Sequence, residues 1–272
     1  MISIRDRMDT TPDERDDWLL SGDRYTFFVL RRIMKGDCEI YLTDHETLIL
    51  CYSCAPYPVW IWTPDGASNE VLDRAYQIAK ETALLDGKHS FNIKYELATY
   101  FIQRAADEGQ VYHIERNMFA YDCPEPVVPS SRADGNIHLC TEQDLEELAD
   151  LSEQFHLEIE IDQKDRDAYR ADAKARIESG RVYFWKNGEG KNTACCMYAP
   201  NGAMASINLV YTRPEYRRKH YAESLVYQVT MTAKEAGYLP MLYTDADYAA
   251  SNACYEKIGY VLRGKLCTIS AV

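Results

Sequence analysis

Four basic side chains follow one another at a single place in this chain, Arg217-Arg218-Lys219-His220. They stand between a short apolar stretch and a longer segment whose apolar residues have helical spacing. The first turn of a helix leaves backbone N–H groups without intrahelical acceptors, and the helix dipole adds positive potential at the same end. A basic turn at such a position is suited to a ligand with more than one negative charge, such as a diphosphate.

The elements on either side of this turn follow from a change in periodicity. Residues 206–211 alternate and are rich in Ile, Leu, Val and Tyr, which predicts a strand. From Tyr221 onward the apolar residues share one helical face up to Gly237, where a glycine can end the helix. The same residues also fit a solvated basic turn that only joins a core strand to a core helix.

The six residues Arg217-Arg218-Lys219-His220-Tyr221-Ala222 resemble the pyrophosphate loop of the GCN5-related N-acetyltransferases, the GNAT family. The family pattern is Gln or Arg, two variable residues, Gly, any residue, then Gly or Ala. Arg217 and Ala222 match its ends, while His220 stands where the family has Gly. If that position needs positive φ, His is among the better tolerated replacements. The resemblance implies that all six residues bind acetyl-CoA, the acetyl donor.

A later segment resembles the family as well. Asn252 and Tyr255 precede Gly259-Tyr260, which is similar to the family's Asn, two residues, Tyr, then Gly-Phe or Gly-Tyr. Residues three apart share a helix face. The resemblance implies that Asn252 contacts the cofactor and that Tyr255 lies near its sulfur, although Tyr255 also fits a core aromatic. It further implies that pantetheine amides pair with the central strand at Val210, Tyr211 and Thr212.

Acetylation of an amine also needs a base, because an ammonium must lose a proton before its nitrogen can attack. Glu158 and Glu160 follow the first helix of the C-terminal half, where acceptor contacts often fall in the family. Each also fits an ordinary solvated acid, the commoner situation for glutamate. His156 and His220 are weaker candidates. Helix phase turns Cys254 away from the predicted site, which argues against a thiol relay.

Composition disfavours several other classes of protein. The formal net charge is −13, which opposes nucleic-acid binding and leaves room for a cationic acceptor. No apolar run fits a signal peptide or a membrane span, so we expect a cytoplasmic protein with no membrane partner and with its nine cysteines reduced. The pair Cys51 and Cys54 lacks a second pair at zinc spacing, and no metal is expected.

The order of predicted elements indicates an α/β protein with a mixed sheet and a GNAT-like fold. Residues 1–122 are predicted to form an N-terminal α/β lobe that resembles a degenerate GNAT-like half without a phosphate loop. Three prolines and two serines predict an extended linker over 123–134. Residues 135–272 are predicted to hold the acetyltransferase domain. Residues 24–32 fit either a strand or a helix.

These features predict an enzyme that transfers the acetyl group of acetyl-CoA to a primary amine by direct attack in a ternary complex, without a covalent enzyme intermediate. The alternative is an acyl-CoA-binding module that regulates or docks a partner without turnover. Release of CoA thiol in the presence of amines separates the two. The sequence does not distinguish a small-molecule amine from a peptide amine, and it does not predict the oligomeric state.

Overall fold

A computed structural model of the protein describes residues 3–36, 38–159 and 163–272. Contacts between Cα atoms divide the chain into two compact units. Unit 1 contains Met1–Ala120, Thr244–Tyr248 and Arg263–Val272, and unit 2 contains Tyr121–Tyr243 and Ala249–Leu262. Among the helices described, none combines the length and apolar character needed to cross a bilayer.

The described residues form both α-helices and β-strands in each half of the chain. Up to residue 122 they are α1 (Glu14–Leu19), α2 (Phe28–Ile33), β1 (Ile40–Thr43), β2 (Ile49–Tyr52), β3 (Val59–Trp62), α3 (Asn69–Glu81), β4 (Phe91–Ile93), α4 (Tyr95–Asp107) and β5 (Tyr112–Asp122). The later elements are β6 (Asn136–Leu139), α5 (Leu145–Glu158), α6 (Arg166–Glu178), β7 (Val182–Lys186), β8 (Asn192–Asn201), β9 (Met204–Thr212), α7 (Tyr221–Glu235), β10 (Leu239–Asp245), α8 (Ala249–Ile258) and β11 (Val261–Ala271).

The sheet of unit 2 has the strand order β10-β9-β8-β7-β6. Strands β6 to β9 pair antiparallel, and β10 pairs parallel to β9 after the crossover through α7. Helices α5 and α6 bury Leu148, Leu151 and Tyr169 against these strands. Helix α7 buries Leu225, Val226 and other apolar residues of one face, as its 3.6-residue periodicity predicts. The predicted mixed α/β fold is confirmed.

The sheet of unit 1 has the strand order β1-β2-β3-β4-β11-β5. Strands β3 and β4 are parallel and are joined by α3, in the same arrangement as β9, α7 and β10 of unit 2. Where unit 2 has a basic turn, residues 63–68 of unit 1 read Thr-Pro-Asp-Gly-Ala-Ser. The Gly66 N–H donates to Glu96 at 3.1 Å, and Lys94 pairs with Asp65 at 2.6 Å. These contacts fit the predicted GNAT-like half without a phosphate loop.

The compact units differ from the predicted ranges 1–122 and 135–272. Strand β11 lies between β4 and β5 in the sheet of unit 1, so residues 263–272 pack with the N-terminal part of the chain. Residues 123–134 have no regular secondary structure, but they are part of unit 2 and hydrogen-bond to its other segments. The Cys123 N–H donates to the Pro240 carbonyl at 2.9 Å, and the Val127 N–H to the Ile258 carbonyl at 2.7 Å. Division of the chain at this linker stays a prediction about independent folding.

The structure decides one local alternative and adds two short strands. Residues 24–32, which fit either a strand or a helix, contain helix α2. Strands β4 and β6 were not predicted, because three- and four-residue segments show too little alternation to be recognised. The strand predicted over residues 206–211 and the helix predicted from Tyr221 are present as β9 and α7.

Candidate active site

Strand β9 changes its pairing halfway along its length. Its parallel pairing with β10 covers Met204–Ser206 against Leu239–Met241, and among the described residues 207–212 none pairs with β10. The antiparallel register with β8 shifts between Cys195 and Met197, and Leu209 opposite this irregularity has φ of 53°. A bulge of this kind bends a strand away from its neighbour. The predicted cofactor-pairing residues Val210, Tyr211 and Thr212 lie on the separated half.

The turn after β9 has left-handed backbone at two of its residues. Arg218 has φ of 59°, and His220 has φ of 63° and ψ of 11° immediately before α7 begins. Position 220 thus has the positive φ at which histidine is among the better tolerated replacements for glycine. The Ser224 N–H donates to the His220 carbonyl at 3.0 Å, and no backbone acceptor is found in the described part of the chain for the N–H groups of residues 219–222. Such a turn is an anion-binding geometry.

The cations of this turn do not all point the same way. Arg218 and Lys219 are exposed, with the Lys219 ammonium 5.5 Å from the centre of the Tyr216 ring. The Arg217 guanidinium instead folds back towards β9. Its Nε donates to the Thr212 carbonyl at 3.0 Å, and a terminal nitrogen forms an ion pair with Glu158. The structure thus joins two predicted site residues, Arg217 and Glu158, to each other.

A buried carboxylate stands in the first turn of α7. Glu223 is 7% exposed, and its Oε2 lies 3.2 Å from Nδ1 of His220. A negative charge is favourable at a helix N-terminus, and the contact also fixes the imidazole that replaces the family glycine. His220 is therefore a conformational residue of the turn in this structure.

Tyr221, the first residue of α7, is held by Asp134. The Tyr221 hydroxyl donates to Oδ1 of Asp134 at 2.6 Å, and the Gly188 N–H donates to Oδ2 at 2.7 Å. The hydrogen bond from Tyr221 is the main reason that the pKa of Asp134 is lowered, and the same bond raises the pKa of Tyr221 to about 12. Sequence reasoning missed Asp134 because it belongs to the proline-rich segment and its partner lies far along the chain. The Tyr221 side chain is thus committed to the protein, which leaves its backbone N–H for a ligand.

Helix α8 buries one face that contains both predicted residues. Asn252 is 8% exposed and Tyr255 is 7% exposed, as their spacing predicted. The Tyr255 ring packs edge-on against Tyr260 at 5.9 Å, so the core-aromatic interpretation and the catalytic one both fit its position. Burial raises the pKa of the Cys254 thiol to about 11, with a further contribution from Glu223. A thiol held protonated in this way is a poor nucleophile, in line with the absence of a thiol relay from the predicted mechanism.

The candidate bases differ in their contacts and burial. Glu158 ends α5, and its carboxylate binds Arg217. Glu160 lies outside the described residues. His156 is 8% exposed, and its Nδ1 contacts the Tyr169 hydroxyl at 3.1 Å, which makes it a core residue of unit 2. Glu158 is thus a candidate carboxylate that lies, through Arg217, at the carboxyl end of β9.

The end of β9 is also tied down by a network that the sequence does not reveal. Arg213 pairs with Oε1 of Glu147 at 2.9 Å, and its Nε donates to the Asn192 carbonyl at 3.2 Å. The Asn192 amide donates to Oε2 of the same glutamate at 2.6 Å. Because Glu147 looks like any exposed acid of an amphipathic helix, no signal in the sequence would have found it.

Unit 1 contains a cluster of side chains of types that can bind metal ions. Asp13, Asp16 and His45 offer ligand atoms within 4.8 Å of one another. These atoms already have protein partners: His45 Nε2 contacts Asp9 at 2.8 Å, and Asp16 accepts from Thr43 at 2.6 Å. We therefore assign no metal to this cluster.

Comparisons with known proteins concern both the domain and the whole fold. No curated protein sequence matched the chain. A solved structure described as a GCN5-related N-acetyltransferase from Sphaerobacter thermophilus has a TM-score of 0.67 at 12% identity, covering 98% of this chain and 96% of that one. One of the same description from Kribbella flavida has a TM-score of 0.60 at 15% identity, covering 92% and 95%. A GNAT-family acetyltransferase from Colwellia psychrerythraea has a TM-score of 0.59 at 10% identity, covering 97% and 98%.

At these identities the likeness shows the fold, and it extends over nearly the entire chain. The sequence itself matches the model of the acetyltransferase (GNAT) family over residues 145–260. That range begins with α5, contains the bulged strand, the basic turn and α7, and ends just after α8. Residues 145–260 of this chain therefore match the GNAT family of acetyltransferases.

Proposed function

We propose that this chain transfers the acetyl group of acetyl-CoA to a primary amine by direct attack in a ternary complex. The observation that carries the proposal is the turn between β9 and α7. There, left-handed backbone at Arg218 and His220 leads into a helix N-terminus. Successive N–H groups and the exposed cations Arg218 and Lys219 together suit a diphosphate.

The remainder of acetyl-CoA is assigned to the separated half of β9. An amide of the pantetheine arm can add to a strand edge as another strand would, and residues 207–212 do not pair with β10. Val210, Tyr211 and Thr212 supply the backbone groups in this assignment. The N–H groups of Tyr221 and Ala222 face the diphosphate, and Asn252 of α8 provides a further contact to the cofactor.

The reaction requires a base at the amine and an acid at the sulfur. A carboxylate, Glu158 or Glu160, takes a proton from the ammonium. The freed nitrogen lone pair then forms a C–N bond to the thioester carbonyl carbon. When the C–S bond breaks, the thiolate receives a proton, for which the Tyr255 hydroxyl is the candidate donor. The second proton lost by nitrogen passes to solvent.

The acceptor is assigned only by its charge and class. A protein with a formal net charge of −13 attracts cations over much of its surface, which favours encounter with a protonated amine. A small-molecule amine and a peptide amine both meet this requirement.

The test is release of CoA thiol from acetyl-CoA in the presence of a panel of primary amines, together with calorimetry of acetyl-CoA binding. The double variant Arg218→Ala/Lys219→Ala should weaken acetyl-CoA binding about tenfold or more, because it removes charge-assisted contacts. Lys174→Ala is the matched control. This lysine lies on α6 with 67% of its side chain exposed, and its ion pair with Glu178 spans 3.8 Å.

Three outcomes separate the possibilities. Amine-dependent thiol release with loss of affinity in the loop variant supports the proposal. Acetyl-CoA binding without release by any amine favours the regulatory or docking module instead. Unchanged affinity in the loop variant would remove the turn from the binding site.

A further inference from the structure

Three described residues of unit 2 contact the side chain of Arg217. Its Nε donates to the Thr212 carbonyl at 3.0 Å, and its guanidinium forms an ion pair with Oε2 of Glu158. The guanidinium carbon also lies 5.8 Å from the centre of the Tyr211 ring. These contacts hold the cation at the carboxyl end of β9 rather than over the first turn of α7.

Glu158 gains a defined position from the same contacts. It is the last residue of α5. Oε2 is engaged by Arg217, whereas Oε1 has no hydrogen-bond partner in the described part of the chain. With 36% of its side chain exposed, Glu158 can present Oε1 to a ligand. A second link between α5 and β9, from the Tyr211 hydroxyl to Gln154 at 3.3 Å, supports this arrangement.

We propose that Arg217 is a positioning residue for the base Glu158, and not a ligand of the diphosphate. This inference rests on the proposed function, since it assigns Glu158 the role of proton acceptor. Arg217 holds one carboxylate oxygen, and the other oxygen takes the proton of the ammonium. The positive charge of the turn that remains for the phosphates is that of Arg218 and Lys219, both exposed.

The inference differs measurably from the family pattern, which implies that Arg217 binds the cofactor. A phosphate ligand acts on the affinity for acetyl-CoA and is independent of Glu158. A positioning residue acts on turnover of the amine and depends on Glu158. Loss of either partner should then cost nearly as much as loss of both, because residues that work as a unit are not additive.

The experiment compares Arg217→Gln, Glu158→Gln, the double variant and wild type. Acetyl-CoA affinity is measured by calorimetry, and kcat/KM for the amine is measured by thiol release at saturating acetyl-CoA. Each single variant should lower kcat/KM for the amine about ten- to a hundredfold, within the range that general-base catalysis contributes. The kcat/KM of the double variant should lie within about threefold of that of the less active single variant. The acetyl-CoA affinity of all three variants should stay within about threefold of that of wild type.

Two further variants separate the role of Arg217 from that of its charge and of its neighbour. Arg217→Lys retains a cation beside Glu158 and should therefore recover part of the kcat/KM that Arg217→Gln loses. If Arg217 acted only through the planar shape of its guanidinium, the lysine variant would recover none of it. Arg218→Gln, one residue along the turn, should lower acetyl-CoA affinity, which Arg217→Gln should leave within about threefold of wild type.

The results that overturn the inference differ from those that overturn the proposed function. A wild-type protein that releases no thiol with any amine removes both. A wild-type protein that turns over, with a tenfold loss of acetyl-CoA affinity in Arg217→Gln but not in Glu158→Gln, removes only the positioning role. Independent, multiplying effects of the two substitutions on kcat/KM also remove it.

Discussion

Replacing Gly135 by alanine tests whether the end of the proline-rich segment is locked against the hairpin of β7 and β8. A Cβ at this position would lie 1.8 Å from the Lys186 carbonyl oxygen and 2.7 Å from the Asn187 Cα, at φ of +89°. Left-handed backbone costs an L-residue about 1–2 kcal/mol. Overpacking adds about 1–3 kcal/mol, and the less flexible unfolded chain returns about 0.4–1 kcal/mol. We expect Gly135→Ala to lower the free energy of unfolding by about 2–4 kcal/mol.

Gly237 is a matched control, because it has the same φ of +89° and a Cβ added there would meet no atom within 4 Å. Gly237→Ala should therefore carry the backbone cost alone, about 1 kcal/mol. Denaturant titration gives the free energy of unfolding of both variants. The difference between the two losses is the cost of the clash between the added Cβ and Lys186. Acetyl-CoA binding should also weaken in Gly135→Ala, since the neighbouring Asp134 holds Tyr221 at the start of α7.

Equal destabilisation by the two alanines would refute this reasoning. It would mean that residues around 135 can move away from Lys186 without cost, as a free linker could. A large loss of stability in Gly135→Ala with unchanged acetyl-CoA affinity would instead separate the packing of this segment from the binding turn.

Three other predictions concern the site directly. Tyr255→Phe should keep acetyl-CoA affinity and lower turnover on the order of ten- to a thousandfold, if its hydroxyl protonates the leaving thiolate; wild-type turnover at every accessible pH would leave it a packing residue. By calorimetry, His220→Gly should bind acetyl-CoA within about twofold of wild type, whereas the β-branched His220→Val should bind about tenfold more weakly at this left-handed position. The hydrogen bond from Tyr221 lowers the pKa of Asp134 in the folded protein. The ionised Asp134 therefore stabilises the fold at pH above its unfolded-state pKa of about 4, and this stabilisation is lost as the pH falls through its folded-state pKa. Asp134→Asn should therefore unfold at lower denaturant than wild type at pH 7 and converge with it in acid.

The sequence predicts the strand, turn and helix around Arg217 well, because each has a local signal. Alternation marks β9, helical spacing marks α7, and the basic turn lies between them. Even the left-handed backbone at His220 could be anticipated from the glycine that the family places there. Each of these patterns can be recognised without knowing how the rest of the chain packs.

Side-chain partners and sheet membership were beyond the sequence for a physical reason. The pairing of Arg217 with Glu158, and of Tyr221 with Asp134, depends on which elements become neighbours in space. The pattern of β11 shows that it is a strand, but nothing in its alternation says that it pairs with β4. Contacts between residues distant in sequence are decided by packing, which a single sequence does not display.

The place of β11 in unit 1 has a consequence for how the protein is made. Residues 267–269 pair with 91–93 of β4, and all of Tyr121–Tyr243 is synthesised between these two segments. Domains commonly fold as they leave the ribosome, with the N-terminal one first. Here the sheet of unit 1 lacks an interior strand until residues 263–272 have emerged, so the edges of β4 and β5 stay open while unit 2 is translated. Open edges pair readily with other chains. The first-made unit therefore stays incomplete, with these edges open to pairing, until β11 has emerged.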